Sequence, residues 1–250
     1  MNEFLKNTDR IEFTVTLACT GRCRHCSEGD HIGCREHIDA DVATASIRKI
    51  CECYKIKSLM TFGGEPLLYP DVVCAIHSTA RDLGIAKRQL ITNGFFSKDL
   101  EMIQKVAKDI ALSGVNDLLL SVDAFHQETI PMEPVKIFAE SLVAQEVPVR
   151  ISPAWLVSAD DDNPYNNRTR ELIDELSYLG IPTGEGNVIF PSGNALKYLK
   201  EYFPVGVSES SPYDEDPRDI RAISFDPNGD VLGGNIYKTD ILDIMRDYRP

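Results

Sequence analysis

The sequence predicts an α/β chain: six strand–helix units around a parallel sheet, similar to a partial TIM-like barrel, then a short hairpin–helix extension. Three observations carry this expectation. Short β-branched and apolar runs alternate with stretches whose apolar residues recur at helical spacing, which signals consecutive βα units and a parallel sheet. The run Leu118-Leu119-Leu120-Ser121-Val122 is almost wholly apolar, as a parallel strand covered on both faces requires. Polar and sulfur-bearing residues gather just after the runs, where a parallel barrel collects its chemistry. At 250 residues the chain is long enough for one large domain. We expect a barrel over residues 1–205 and a C-terminal extension over 206–250.

The first strand is Ile11–Leu17, which opens into a cysteine-bearing loop. Asp39 then caps a helix over 40–54, with Ala43, Ile47, Ile50, Cys51 and Tyr54 on one face. The second strand, Lys57–Phe62, ends in Gly63-Gly64-Glu65-Pro66, and two glycines there permit close backbone approach. By itself that tetrapeptide reads equally as a tight βα turn. A helix over 71–83 turns Val73, Ile76, Ala80 and Leu83 inward and stops at Gly84, with Cys74 and His77 as structural or surface positions. The third strand, Arg88–Thr92, ends in the turn signal Asn93-Gly94. Ser97 caps the next helix, whose Leu100, Ile103, Ala107 and Ile110 face inward and which Gly114 closes. The fourth strand ends in Ser121 and Asp123, with His126 and Gln127 beyond.

A helix near 134–145 leads to the fifth strand, Val149–Leu156, in which Arg150, Ser152 and Ala154 share a face opposite Val149 and Ile151. The acidic stretch Asp160–Pro164 reads as a solvated loop, since calcium sites need more ordered donor spacing. A helix over 167–179 and the strand Asn187–Phe190 form the sixth unit, and Pro191–Ala195 leads into a short helix. Ser208–Pro217 reads as a linker. Arg221–Phe225 and Asp230–Leu232 flank the hairpin signal Asp226-Pro227-Asn228-Gly229, and a final helix follows.

The most informative stretch is Cys19-Thr20-Gly21-Arg22-Cys23-Arg24-His25-Cys26. Thiolates are the usual ligands of iron–sulfur clusters, and three of them would leave one iron of a [4Fe–4S] cluster open. A tetrahedral zinc site is the rival reading; it needs a fourth donor, which Cys34, His31 or His37 could supply. CxxxCxxC after a first strand, followed by GGEP after the second, resembles the radical S-adenosylmethionine (SAM) superfamily over residues 11–190. The resemblance implies that Cys19, Cys23 and Cys26 hold a [4Fe–4S] cluster whose open iron binds SAM. Reductive cleavage of SAM then gives a 5′-deoxyadenosyl radical that abstracts a substrate hydrogen atom.

The same resemblance implies SAM contacts at His25, Gly63, Gly64, Glu65, Thr92, Asn93, Ser121, Asp123, Ser152 and Val188, the last beside adenine. Asp123 and His126 become candidate catalytic residues, although a loop histidine often does no more than hydrogen-bond. The tail is similar to the start of a SPASM extension but has no cysteine after Cys74, so a single cluster is expected.

Seven cysteines without a signal-peptide-like start point to a reducing cytoplasm. No run approaches the roughly 18 to 20 apolar residues of a membrane span. A net charge of −13 argues against a nucleic-acid partner. The resemblance implies an oxidoreductase that works anaerobically with an electron donor such as flavodoxin or ferredoxin. The substrate expected is a ribosomally made peptide, presented with a separate leader-peptide-binding partner protein. A small metabolite, such as a sugar or amino acid, is the alternative substrate, and an iron–sulfur sensor or electron carrier is the non-enzyme alternative.

Overall fold

Along β1 (Arg10–Thr14) every second side chain is sealed: Ile11 and Phe13 are fully buried, while Arg10, Glu12 and Thr14 are partly accessible. This period of two decides which sheet face meets helices and which faces a cavity. The protein is described here by a computed structural model covering residues 2–250. Four further strands follow in βα order: β2 (Ser58–Phe62), β3 (Lys87–Thr92), β4 (Asp117–Leu120) and β5 (Val149–Ile151). After them come β6 (Ala154–Trp155), β7 (Asn187–Val188), β8 (Ala222–Phe225), β9 (Asp230–Val231) and β10 (Gly234–Asn235). The central sheet is parallel, in the order β5-β4-β3-β2-β1-β8, so the barrel is partial.

Helices α1 (Ala40–Cys53), α2 (Pro70–Asp82), α3 (Leu100–Ser113) and α5 (Met132–Ala144) supply apolar stripes to the core behind the sheet. The remaining helices are α4 (Ala124–Gln127), α6 (Pro164–Asp174), α7 (Gly193–Tyr198) and α8 (Ile241–Asp247). Asp39 caps α1 through Val42 N–H, and Gly114, with φ 86°, closes α3 in the left-handed conformation. The cap of α3 is Asp99, not Ser97: Asp99 accepts from Met102 N–H, Ser97 accepts from Asp99 N–H, and Leu100 is therefore exposed. Leu83 is also exposed because α2 ends one residue before it.

The sixth strand of the sheet is not Asn187–Phe190. Pro153, which lacks an N–H to continue a ladder, ends β5, and the chain restarts as β6. Among the described residues β7 pairs only with β6, in a separate two-stranded sheet. The vacant edge beside β1 is filled by β8, in parallel register Ile11↔Ile223 and Phe13↔Phe225. Phe13 and Phe225 stack with ring centroids 4.6 Å apart. The Asp226–Gly229 turn does form, but it sends β9 to pair with β10. Among the described residues no helix is long and apolar enough to cross a membrane.

His77 of α2 is fully buried, with Nε2 2.8 Å from Thr61 Oγ1. Burial first, and Arg88 second, push its pKa from 6.5 down to about 3. The unfolded chain therefore binds the extra proton as pH falls below 6.5, and the stability present above that value is lost toward pH 3. Between pH 6.5 and 5.0 this one group should cost cluster-free protein about 2 kcal/mol, from roughly 1.4 kcal/mol per pH unit. Urea unfolding of wild type and His77→Gln at both pH values checks it, and equal pH dependence would refute it.

Candidate functional site

The cysteine loop leaves β1 and is fastened at its root by the end of β2. Gly64 N–H donates to Thr16 O and Glu65 N–H to Ala18 O, each at 2.8 Å. The approach is close enough to require glycine. A Cβ on Gly64 would stand 2.3 Å from Ala18 O, and one on Gly63 (φ 146°) 2.3 Å from Thr16 O.

Cys23 is buried and Cys19 and Cys26 partly so, and all line one cavity as free thiols. Cys19 Sγ accepts from Gly21 N–H at 3.3 Å and lies 3.6 Å from Asn93 Nδ2. Burial, then the Glu65 carboxylate, pushes the Cys19 thiol up to about 12. Burial also raises Cys23 and Cys26; Cys26 adds to the rise at Cys19, and Cys19 and Cys26 add to that at Cys23. Three thiols that oppose each other's ionisation around one cavity are what a positively charged inorganic group would relieve.

The donors that close to within 4.8 Å of one another are Cys23, His25 and His126, not the three cysteines. Ligands of one tetrahedral zinc, at about 2.3 Å from the metal, sit roughly 3.8 Å apart. The three cysteine sulfurs do not close to that spacing as a set. Of the rival donors, His31 Nε2 lies 3.1 Å from Cys26 Sγ, while His37 bonds Ile38 O and packs on Tyr69.

The other sequence-predicted residues gather at the strand ends. Gly63, Gly64, Thr92, Asn93, Ser121, Asp123, His126, Ser152 and Val188 all line the same cavity as the cysteines and His25. Glu65 does not. It is fully buried behind the wall, where Oε1 accepts from Leu67 N–H and Thr92 Oγ1 and Oε2 accepts from Asn93 N–H. Burial pushes its carboxyl up to about 7 against those hydrogen bonds. It ties β2 to β3 and so sets Thr92 and Asn93.

Asp123 is fully buried and caps α4. Its Oδ1 accepts from Phe125 and His126 N–H; its Oδ2 accepts from Ala154 N–H at 3.0 Å and His126 Nδ1–H at 2.7 Å. Burial opposes ionisation of Asp123, but the imidazole of His126 holds the carboxyl well below its usual range. Burial likewise opposes the imidazolium of His126, yet Asp123 raises it. A carboxylate only accepts, so Nδ1 carries hydrogen and Nε2 is left to exchange a proton with the cavity. His25 packs against Phe125 and His126 with Nδ1 unpartnered among the described residues; burial pushes it down to about 4.

Sequence reasoning missed the second clamp on the loop. Asn194 N–H donates to Cys26 O at 2.9 Å, and its Nδ2 donates to Cys23 O and Gly29 O, each at 3.2 Å. Gly193 approaches so closely that a Cβ would stand 2.3 Å from Ser27 O. In sequence alone a Gly-Asn pair signals only a turn. Asn194→Ala is expected to lose about 1 kcal/mol of anchoring and release iron to a chelator roughly fivefold faster. Unchanged chelation kinetics would remove Asn194 from this role.

The profile of the Radical SAM superfamily matches residues 13–142. Similar proteins include GTP 3',8-cyclase of Clostridium acetobutylicum, 24% identical over 211 residues that cover 75% of this chain and 61% of the relative. A probable GTP 3',8-cyclase of Saccharolobus islandicus is 26% identical over 219 residues, 81% of this chain and 67% of the relative. The chain thus spans about two thirds or less of these relatives. In fold it is similar to Streptococcus suis SuiB bound to S-adenosylmethionine, with TM-score 0.62 and 16% identity, covering 96% of this chain and 66% of that one. It is also similar to anSMEcpe with bound AdoMet, with TM-score 0.61 and 12% identity, covering 94% and 79%. The matched segment holds the cysteine loop, Gly63-Gly64, the ends of β1 to β4 and His126 in one run of chain, and the protein belongs to the radical SAM superfamily, enzymes that use a [4Fe–4S] cluster and SAM.

Proposed function

We propose that Cys19, Cys23 and Cys26 hold the [4Fe–4S] cluster and that the enzyme abstracts a hydrogen atom from a ribosomally made peptide. The observation that carries this reading is one cavity of about 1480 Å³ running from the cysteine loop past the strand ends to the inner face of β1 and β8. It exceeds the roughly 300–1,000 Å³ of a single small-ligand pocket, leaving room for cofactor and substrate together. When bound, the reduced cluster and SAM supply an electron source and a hydrogen-atom acceptor.

The chain's own residues do the rest. The backbone of Gly63 and Gly64, with Asn93, Ser121 and Ser152, offers polar contacts for SAM at the strand ends, and Val188 an apolar one. Asp123 fixes the ring of His126, whose Nε2 can hold or deliver a proton at the reacting substrate atom. Met60, Phe62, Ile91 and Leu119 line the wall below and exclude water from reactive species.

The peptide reading draws support from fold neighbours whose structures hold peptides. SuiB bound to its precursor peptide SuiA has TM-score 0.58 and 15% identity, and anSMEcpe with a Kp18Cys peptide has 0.59 and 11%. A leader-peptide-binding partner and a flavodoxin or ferredoxin as electron donor belong to the same reading, set in the cytoplasm. A second reading, an anionic small metabolite, is favoured by the relatives named GTP 3',8-cyclase.

Anaerobic reconstitution tests the proposal. About four irons per chain, and 5′-deoxyadenosine on reduction with SAM, are expected for wild type and neither for Cys23→Ala. Iron without deoxyadenosine, or stoichiometric zinc without a cluster, would overturn it.

A further inference from the structure

The inner face of the sheet carries a continuous polar ladder at the end remote from the cysteines. Glu12, Met60, Gln89 and Asp117 lie in one register row across β1 to β4, with Ser224 beside Glu12 on β8. Arg10 Nε donates to Glu12, its Nη1 to Gln89 Oε1 at 3.2 Å, and its Nη2 to Met60 Sδ at 3.0 Å. Gln89 Nε2 then donates to Asp117 Oδ2 at 2.8 Å, and Arg150 Nε to Asp117 Oδ1 at 2.9 Å; Lys87 stands 3.4 Å from the same carboxylate.

The two carboxylates are better supplied than the cations. Asp117 receives Gln89, Arg150 and Lys87, and Glu12 receives Arg10 and Ser224. Arg10 has five N–H groups. Three have partners among the described residues, and one of those partners is a thioether, a weak acceptor. Three cations (Arg10, Lys87 and Arg150) face two carboxylates: Lys87 and Arg150 share Asp117, and Arg10 pairs with Glu12, which lines the cavity beside it. Of those three cations, only Arg10 lines the cavity, with 29% of its side chain exposed. Two N–H groups of this oriented guanidinium, one on each Nη, have no partner among the described residues.

We infer that Arg10 is the anchor for an oxyanion of the substrate: a peptide carboxylate or a nucleotide phosphate, gripped by the guanidinium that Glu12 and Gln89 hold in place. Arginine's planar fork recognises both groups bidentately. The anchor lies about four residues below the strand ends, from Gln89 to Asn93, or roughly 13 Å at 3.3 Å per residue. The substrate therefore spans that distance, its charged end on the floor and its reacting C–H near the strand ends. This inference rests on the reading of the cavity as the substrate site.

The test titrates reconstituted wild-type enzyme calorimetrically with two probes, glutarate and tripolyphosphate, and repeats this with Arg10→Ala and Arg10→Lys. Wild type is expected to bind at least one probe, with Arg10→Ala at least tenfold weaker, from the loss of charged hydrogen bonds. Arg10→Lys, which keeps charge without the fork, should be about threefold or more weaker. Glutarate alone would identify a carboxylate source and tripolyphosphate alone a phosphate source. No heat from either probe at about 10 mM, or equal affinity in Arg10→Ala, would overturn the inference. If Arg10→Ala does not fold, equal affinity in Arg10→Lys overturns it instead. Binding is read without turnover, so wild type that makes no deoxyadenosine would sink the functional reading and leave this result standing on its own.

Discussion

Gly64→Ala is expected to abolish iron incorporation although it removes no ligand. Its new Cβ would stand 2.3 Å from Ala18 O, 2.6 Å from Leu17 O and 2.7 Å from Ala18 C, all backbone atoms. No rotamer change relieves such contacts, so the peptide leading into Cys19 must move. Retreat on the other side is blocked, because neighbouring Glu65 is fixed through both carboxylate oxygens to Leu67, Thr92 and Asn93. The variant therefore loses the Gly64–Thr16 and Glu65–Ala18 hydrogen bonds or carries the overlap as strain, costing about 3 kcal/mol or more.

A shift of about 1 Å at Cys19 is enough to spoil a preorganised ligand set, and iron after reconstitution should fall below roughly a tenth of wild type. Gly84 supplies the control. It has φ +75° but nothing within 4 Å of an added Cβ, so Gly84→Ala should cost about 1 kcal/mol and leave iron unchanged. Full iron in Gly64→Ala, or equal loss in both, would show that close approach does not govern the loop.

These contrasts show what local sequence could and could not report. Strands one to four, the Asp39 cap and the Gly114 stop depend on neighbours a few residues away, and each follows from spacing and residue type. The β1–β8 pairing depends on residues more than 200 positions apart in register, Phe13 with Phe225, and a short apolar run names no partner. Pro153 could have warned that 149–156 is not one strand, since the missing N–H is a local fact. At the site, residues at strand ends were legible because parallel sheets gather function there. Asn194 was not, because its role lies in which carbonyls it meets. Arg10 and Glu12 went unread, because their value depends on Gln89, Asp117 and Ser224 from three other strands.

Asp123→Asn should separate the fold's use of this residue from its chemical use. In wild type four donors converge on the carboxylate: Phe125 N–H, His126 N–H, Ala154 N–H and His126 Nδ1–H. An asparagine keeps the shape but turns one oxygen into an NH₂ that must face either Phe125 and His126 N–H or Ala154 N–H and His126 Nδ1–H. Either choice buries two opposed donors, and the charge that favoured the imidazolium is gone.

Breaking a buried pair of this kind costs about 3–5 kcal/mol, and pH dictates when the loss shows. Asp123 is held below its ordinary 3.8, so its contribution is present above 3.8 and lost as pH falls through the lower folded value. His126 is raised above 6.5, so its contribution is present below 6.5 and lost as pH rises through the folded value. The difference in unfolding free energy between wild type and variant, measured by urea on cluster-free protein, should therefore be largest between 3.8 and 6.5 and smaller at pH 8. Iron binding should survive, because the loop's anchors at Gly64, Glu65 and Asn194 are untouched, while turnover falls about 10²–10⁴-fold as His126 loses its fixed tautomer. A stability difference independent of pH would dissolve the ion pair. Wild-type turnover in a variant that had lost the predicted stability would confine Asp123 to holding α4 against β6.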